Sequence, residues 1–188
     1  MQRFLRALSA PILLLCLLAP ASASASELQL AVGPQVQTSS WRGDAALGQS
    51  LKIGLRFKEL IAIDALGRLG YATVDERMLT YLSLGTTLYG KLAGGRVRPF
   101  ARFAFVHQHE EPTTALRNDP FGAIFGVGDG IRHRGGVSSS LGMDVVVARM
   151  KDYALSIGAD ANGTWFPDPR GPALYYGGGL WAGLDYSL

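Results

Sequence analysis

The 188-residue chain has a single cysteine, Cys16. It sits in the apolar run "APILLLCLLA", after Arg3 and Arg6 and before "PASASAS". A basic start, a short apolar stretch and an A-x-A site make a cleaved secretory signal peptide. Cleavage after Ala23 or Ala25 fits equally well, so residues 1–25 are assigned to the signal. "LLLC" lacks the small residue expected before a lipoprotein's modified cysteine, which argues against lipidation. The exported chain is then cysteine-free and uses no disulfides. Long apolar runs are also missing. The signal's run is too short to span a bilayer as a helix, and no later segment reaches that length. This excludes a helical membrane protein. Nor is there an excess of one charge. Without Arg3 and Arg6 the 18 Lys and Arg fall to 16, against 15 Asp and Glu, a net charge of +1. No basic field points to nucleic acid. Roughly 160 residues remain without a linker, enough for one domain over 27–188.

What the chain does have is two-residue alternation, the mark of a strand with two unlike faces. It runs weakly through 27–37 and cleanly through 50–57, where Leu51, Ile53, Leu55 and Phe57 oppose Lys52, Gly54 and Arg56. It returns at 60–71, 79–90, 96–109, 137–148, 153–165 and 173–188. That predicts eight strands, mostly of the length a tilted strand needs to cross a bilayer. Connections after the second, fourth and sixth are short ("KE", "KLAGG", "RMKD"). Those after the others, 38–49, 72–78, 110–136 and 166–172, are mostly longer. Short inner turns and longer outer loops fit an all-β, antiparallel, up-and-down transmembrane barrel.

In such a barrel the apolar face meets lipid and the polar face lines the lumen. The polar face carries Lys52, Arg56, Arg68, Arg98 and Arg102 with Asp64, Asp144, Asp160 and Asp185. Five basic and four acidic groups in a narrow lumen must find partners or water, which predicts an ion-pair network. Gly54, Gly142, Gly158, Gly177, Gly179 and Gly183 share this face and are expected to leave room for the arginines. Eight strands enclose a space that side chains can fill, so a plugged barrel is favoured over an open channel. Tyr71, Trp165 and Tyr176 are expected at the outer interface, and Phe57, Tyr153 and Tyr186 at the inner one. Tyr89 falls on the lumen side, which implies a bulge or a shifted phase. A soluble lipocalin-like barrel, with the faces inverted, is the structural rival.

The chain resembles the OmpA-type eight-stranded outer-membrane barrels of Gram-negative bacteria, including small ones without a periplasmic domain. The resemblance spans nearly all of 27–188 and is most specific in the closing "WAGLDYSL". Gly183, Tyr186 and Leu188 match the family's terminal strand, which the barrel-assembly machinery reads. The departure is Leu188, where phenylalanine is usual. The resemblance implies a fold, an outer-membrane location and an insertion pathway; contact with lipid and lipopolysaccharide is expected, and no cofactor is. It implies no single activity, because function does not follow from fold.

All three histidines, His107, His109 and His133, lie around the longest loop. H-x-H in extended chain projects both rings to one side, and Glu110 and Glu111 follow. Such ligands suit Zn²⁺ or Cu²⁺, and histidine also titrates near neutrality. The plainer reading is that His107 and His109 share a side with Phe103 and Phe105 and are polar groups near lipopolysaccharide head groups. "GVGDGIRHRGG" (126–136), with Arg132 and Arg134, can cradle a phosphate, but no strand-to-helix pattern surrounds it. It reads equally as a surface loop or an extra hairpin. A lipid-modifying enzyme needs a serine, a histidine and a carboxylate. "SSS" (138–140) is near His133, yet a histidine and serine two apart on one strand are missing, because position 109 is histidine. No enzyme activity is therefore expected. "RGD" at Arg42–Asp44 is a match short enough to arise by chance. The expected role is a structural or surface-interaction barrel that presents its third loop to a partner the sequence does not identify. A narrow solute channel and a lipid-modifying enzyme are the alternatives.

Overall fold

The alternation builds eight strands. They are β1 (Glu27–Ser39), β2 (Ala45–Phe57), β3 (Ile61–Ala72), β4 (Arg77–Tyr89), β5 (Val97–Pro112), β6 (Arg132–Arg149), β7 (Tyr153–Trp165) and β8 (Leu174–Ser187). The structure is a computed structural model that describes residues 27–127 and 130–188. The predicted signal segment and its cleavage site lie outside the described residues. Each strand pairs antiparallel with the next, and β8 returns to β1 from Glu27↔Ser187 to Ser39↔Tyr175, closing the barrel. Closure leaves no open sheet edge, which a strand protein in lipid requires.

The apolar side faces out. Leu84 and Leu141 are 64% and 67% exposed, and Leu51, Ile63, Phe103, Phe105 and Ile157 share their orientation. The charged side is buried in the lumen. This is the arrangement of a membrane barrel and the inverse of a lipocalin. Tyr71, Trp165 and Tyr176 are exposed on the same outward face, and the rings of Tyr153 and Tyr186 stack at 5.0 Å near the inner end. A cation placed in the belt measures its lipid depth. Leu84→Arg, at the middle of β4, should destabilise the barrel by about 2–4 kcal/mol in urea unfolding from lipid vesicles. No cost would mean that this face does not meet lipid.

The first three outer connections are tighter than the sequence predicts. The first outer loop is 40–44 rather than 38–49, and the second is 73–76 rather than 72–78. The third is 113–131 rather than 110–136, and the fourth 166–173. Small residues hid these strand ends. Ala46 and Gly48 continue the alternation of β2, but they carry little hydropathy contrast. The third loop holds two short helices, α1 (Thr113–Asn118) and α2 (Pro120–Ile124). The Asp119 side chain caps α2 by accepting from the Gly122 N–H at 2.9 Å. Tyr89 needs no bulge. β4 pairs without register shift on both sides, and the Tyr89 ring is buried in the lumen. A register shift does occur in β6, between Val146 and Ala148.

Candidate functional site: a filled lumen and a histidine cluster at its rim

The pleat turns every second side chain inward, so the lumen is filled level by level. At the inner level Asp185 accepts from Arg98 at 2.6 Å and from Arg56 at 3.2 Å. Arg56 also pairs with Glu27, and Arg98 lies 3.5 Å from Asp144. At mid-height Arg102 Nε donates to Asp64 at 2.6 Å, and Thr87 donates to the other oxygen of that carboxylate. The Lys52 ammonium lies 5.7–6.0 Å from the ring centres of Phe100, Trp181 and Tyr89. It donates to the Tyr89 hydroxyl, Tyr89 donates to Gln29, and Gln29 donates to Asp185. Arg68 donates to Asn162, which donates to Asp160. All nine charged residues assigned to the lumen from the sequence thus lie inside it.

Two of their partners, Phe100 and Trp181, carry no sequence motif; with Tyr89, already on the lumen side by parity, their tilted rings pack across the lumen. Their presence corrects the role of two glycines. A Cβ at Gly142 would strike the Phe100 ring, and one at Gly158 the Trp181 indole. These glycines make room for aromatics rather than for arginines. The space that remains is divided, with about 100 Å³ at the inner mouth among Glu27, Arg56, Arg98 and Asp185 and less further in. One lumen cavity holds about 40 Å³ between Gln35, Lys52, Arg68, Arg102, Asp160 and Trp181, and another about 20 Å³ near Tyr81 and Gln108. Spaces of that size hold a few waters.

A third level closes the outer mouth. Glu110 is fully buried and accepts from Arg134 at 2.7 Å, Tyr175 at 2.9 Å, Gln108 at 3.1 Å and Arg77 at 3.2 Å. Arg77 also pairs with Asp44 at 2.8 Å. The "RGD" is therefore no display motif: Asp44 is buried, bound by Ser39, Arg77 and the Val74 N–H. Arg134 does not cradle an anion either, because it continues the lumen side of β6 and is held by Glu110 and the Asp168 carbonyl. Gly128 and Asp129 of that glycine-rich stretch lie outside the described residues. Beside the mouth, Arg170 donates to Asp168 and holds its carboxyl down at about 2. The lumen place of Arg77, Glu110 and Arg134 is hidden in the sequence because 72–78 and 110–136 read as loops. Their parity with Tyr81, Gln108 and Ser138 was the available signal.

On the outside of the same rim, β5 and β6 bring the three histidines together. His107 and His109 lie in a strand, as the alternation over 96–109 predicts, and His133, within the stretch that reads as loop, lies in a strand too. His107 and His109 sit two apart on β5, and the register places His133 of β6 directly opposite His109. Their nearest ring nitrogens all lie within 4.8 Å of one another, and His107 Nε2 is 2.7 Å from His109 Nε2. Behind them Glu111 is fully buried. Its Oε1 lies 3.8 Å from His109 Nδ1, and Thr80 of β4 is its nearby hydroxyl, although neither carboxylate oxygen makes a hydrogen bond of good geometry among the described residues. The loop covers this corner, since Gly126 packs against the His109 ring and a Cβ there would overlap it. Gly126 is at φ +72°, where glycine is favoured.

The serines of 138–140 do not join His133. Ser138 accepts from Tyr81 inside the barrel, Ser140 is buried there, and His133 points out. Of the terminal-strand residues, Tyr186 and Leu188 are on the exposed side, and Gly183 packs near Ser156 in the lumen.

No protein-family model matches the chain, and no curated protein sequence does. Solved structures do match it. Neisserial surface protein A (NspA) superposes with TM-score 0.57 at 16% identity, over 89% of this chain and 99% of that one. Ail, the attachment invasion locus protein of Yersinia pestis, gives 0.53 at 12% identity, over 88% and 100%. The outer membrane protein OprG from Pseudomonas aeruginosa gives 0.48 at 10%, over 88% and 97%. At these identities the likeness is one of fold, that of the small outer-membrane β-barrels.

Proposed function

We propose that this outer-membrane barrel is a sealed scaffold with a structural or surface-interaction role, not a channel and not an enzyme. The observation that carries the reading is the filling of the lumen at three levels. Arg56, Arg98 and Asp185 occupy the inner level, Lys52, Arg102 and Asp64 the middle, and Arg77, Glu110 and Arg134 the mouth. A solute would have to break several buried ion pairs in turn. Lipid and lipopolysaccharide surround the belt in this reading. The barrel-assembly machinery inserts the chain through the strand that ends in Gly183, Tyr186 and Leu188. The contact surface is the third loop, where Phe121 and Phe125 are 76% and 73% exposed. Ail, by its name an attachment protein, shares the fold and makes surface contact a reasonable role for this one.

The test is electrical. Purified barrel inserted in planar bilayers should give no discrete conductance steps. The Arg102→Ala, Lys52→Ala double variant, which empties the middle level, should give short openings. Steps from the unaltered barrel would overturn the sealed reading and favour the narrow channel.

A further inference from the structure

We propose that His107, His109 and His133 bind one divalent transition-metal ion of the zinc or copper class at the outer rim, with Glu111 as the residue that orients His109. Three observations converge on it, and none depends on whether the lumen conducts. First, the rings come from two paired strands, so the backbone ladder fixes their spacing. Ring centres lie 4.5–5.6 Å apart, and all three offered nitrogens lie within 4.8 Å. Two nitrogens on a tetrahedral zinc at about 2.0–2.1 Å stand about 3.3 Å apart. A small rotation about each side chain brings this set to that spacing, since His107 and His133 are exposed and free to turn.

Second, Glu111 has the place of a supporting carboxylate. Histidine ligands are usually held by a second group on the other ring nitrogen. The Glu111 carboxylate faces His109 Nδ1 at 3.8 Å, and neither group makes a hydrogen bond of good geometry among the described residues. If Nε2 of His109 takes the ion, Nδ1 carries the proton and donates to Glu111. One site then satisfies a buried carboxylate and an orphaned ring nitrogen. Third, the donor set suits the ion. Three neutral imidazoles favour zinc, copper or nickel over calcium and magnesium, which prefer oxygen. Three protein ligands leave a fourth position for water, facing out from the barrel wall. A bound ion would also cross-link β5 to β6 at the base of the loop, against Gly126.

The experiment uses the whole barrel folded in detergent micelles, each variant first checked for the heat-dependent gel shift of a folded barrel. It is titrated with zinc chloride alone by calorimetry and with cobalt chloride by visible absorption. The expected result is one ion per barrel, with the intense cobalt bands of a four-coordinate site. H133A and H107A should each weaken zinc at least tenfold. Both residues are exposed, so these variants stay informative even if H109A fails to fold. E111Q should keep the stoichiometry and weaken binding about 10–100-fold, the usual effect of losing a supporting group. Absence of saturable one-to-one binding overturns the site, as does binding that survives in the H107A, H109A, H133A triple variant. Unchanged affinity in E111Q overturns the role of Glu111.

Discussion

Replacing Glu110 by alanine should cost the folded barrel about 3–5 kcal/mol, the range for removing one partner of a buried ion pair. Glu110 is the hub of the outer level, and its side chain is out of contact with water. Its removal leaves Arg77 with Asp44 and Tyr175, which soften the loss. Arg134 keeps the Asp168 carbonyl and the face of the Phe166 ring at 4.5 Å, but a buried guanidinium loses its closest counter-charge. Gly171 sits on this pair, close to both Arg134 and Glu110, so the fourth loop should loosen with it. Urea unfolding in lipid vesicles measures the cost, and Glu110→Gln should cost less because its amide oxygen still accepts. A change under about 1 kcal/mol would mean that water replaces the carboxylate and the mouth is wet.

The inner level makes the second large prediction. Asp185→Ala should also cost about 3–5 kcal/mol. It should lower the temperature at which the barrel loses its resistance to SDS. Here one carboxylate serves Arg98 at 2.6 Å, Arg56 at 3.2 Å and the Gln29 amide at 3.2 Å. Without it Arg98 retains only the longer approach to Asp144. Asp185→Ala, Arg98→Ala together should cost less than the two single losses added, because residues in one network couple by about 0.5–3 kcal/mol. Strict additivity would show that the two side chains do not meet in solution.

Much of this was legible along the chain. Alternation identified the strands and separated lipid face from lumen face, because one register decides the side of every residue in a strand. It was weakest where side chains are small, and so Ala46 and Gly48 were lost to a loop. It failed differently for Tyr89, Phe100 and Trp181. An aromatic on the charged side looks like an error of phase until Gly142 and Gly158 on neighbouring strands are seen to yield the space. For the histidines, the shared side of His107 and His109 follows from spacing alone. The place of His133 depends on how many residues the intervening loop consumes, and sequence does not settle that number. The same uncertainty hid Glu110 and Arg134.

The inner charge cluster has a bearing on how the barrel forms. Glu27 belongs to the first strand, Arg56 to the second, Arg98 to the fifth and Asp185 to the last. Gln29 and Asp185 meet across 156 positions of sequence. A sheet still open between its first and last strands leaves Arg56 beside Glu27 but holds Asp185 away from both arginines, in need of water or a substitute. Zipping the seam delivers both at once, so there is little to gain from a barrel almost shut. Contacts of such range make folding slow, because chain entropy is lost before they form. They also make it cooperative. The first and last strands reach their native surroundings in one event, and the seam records whether assembly has finished.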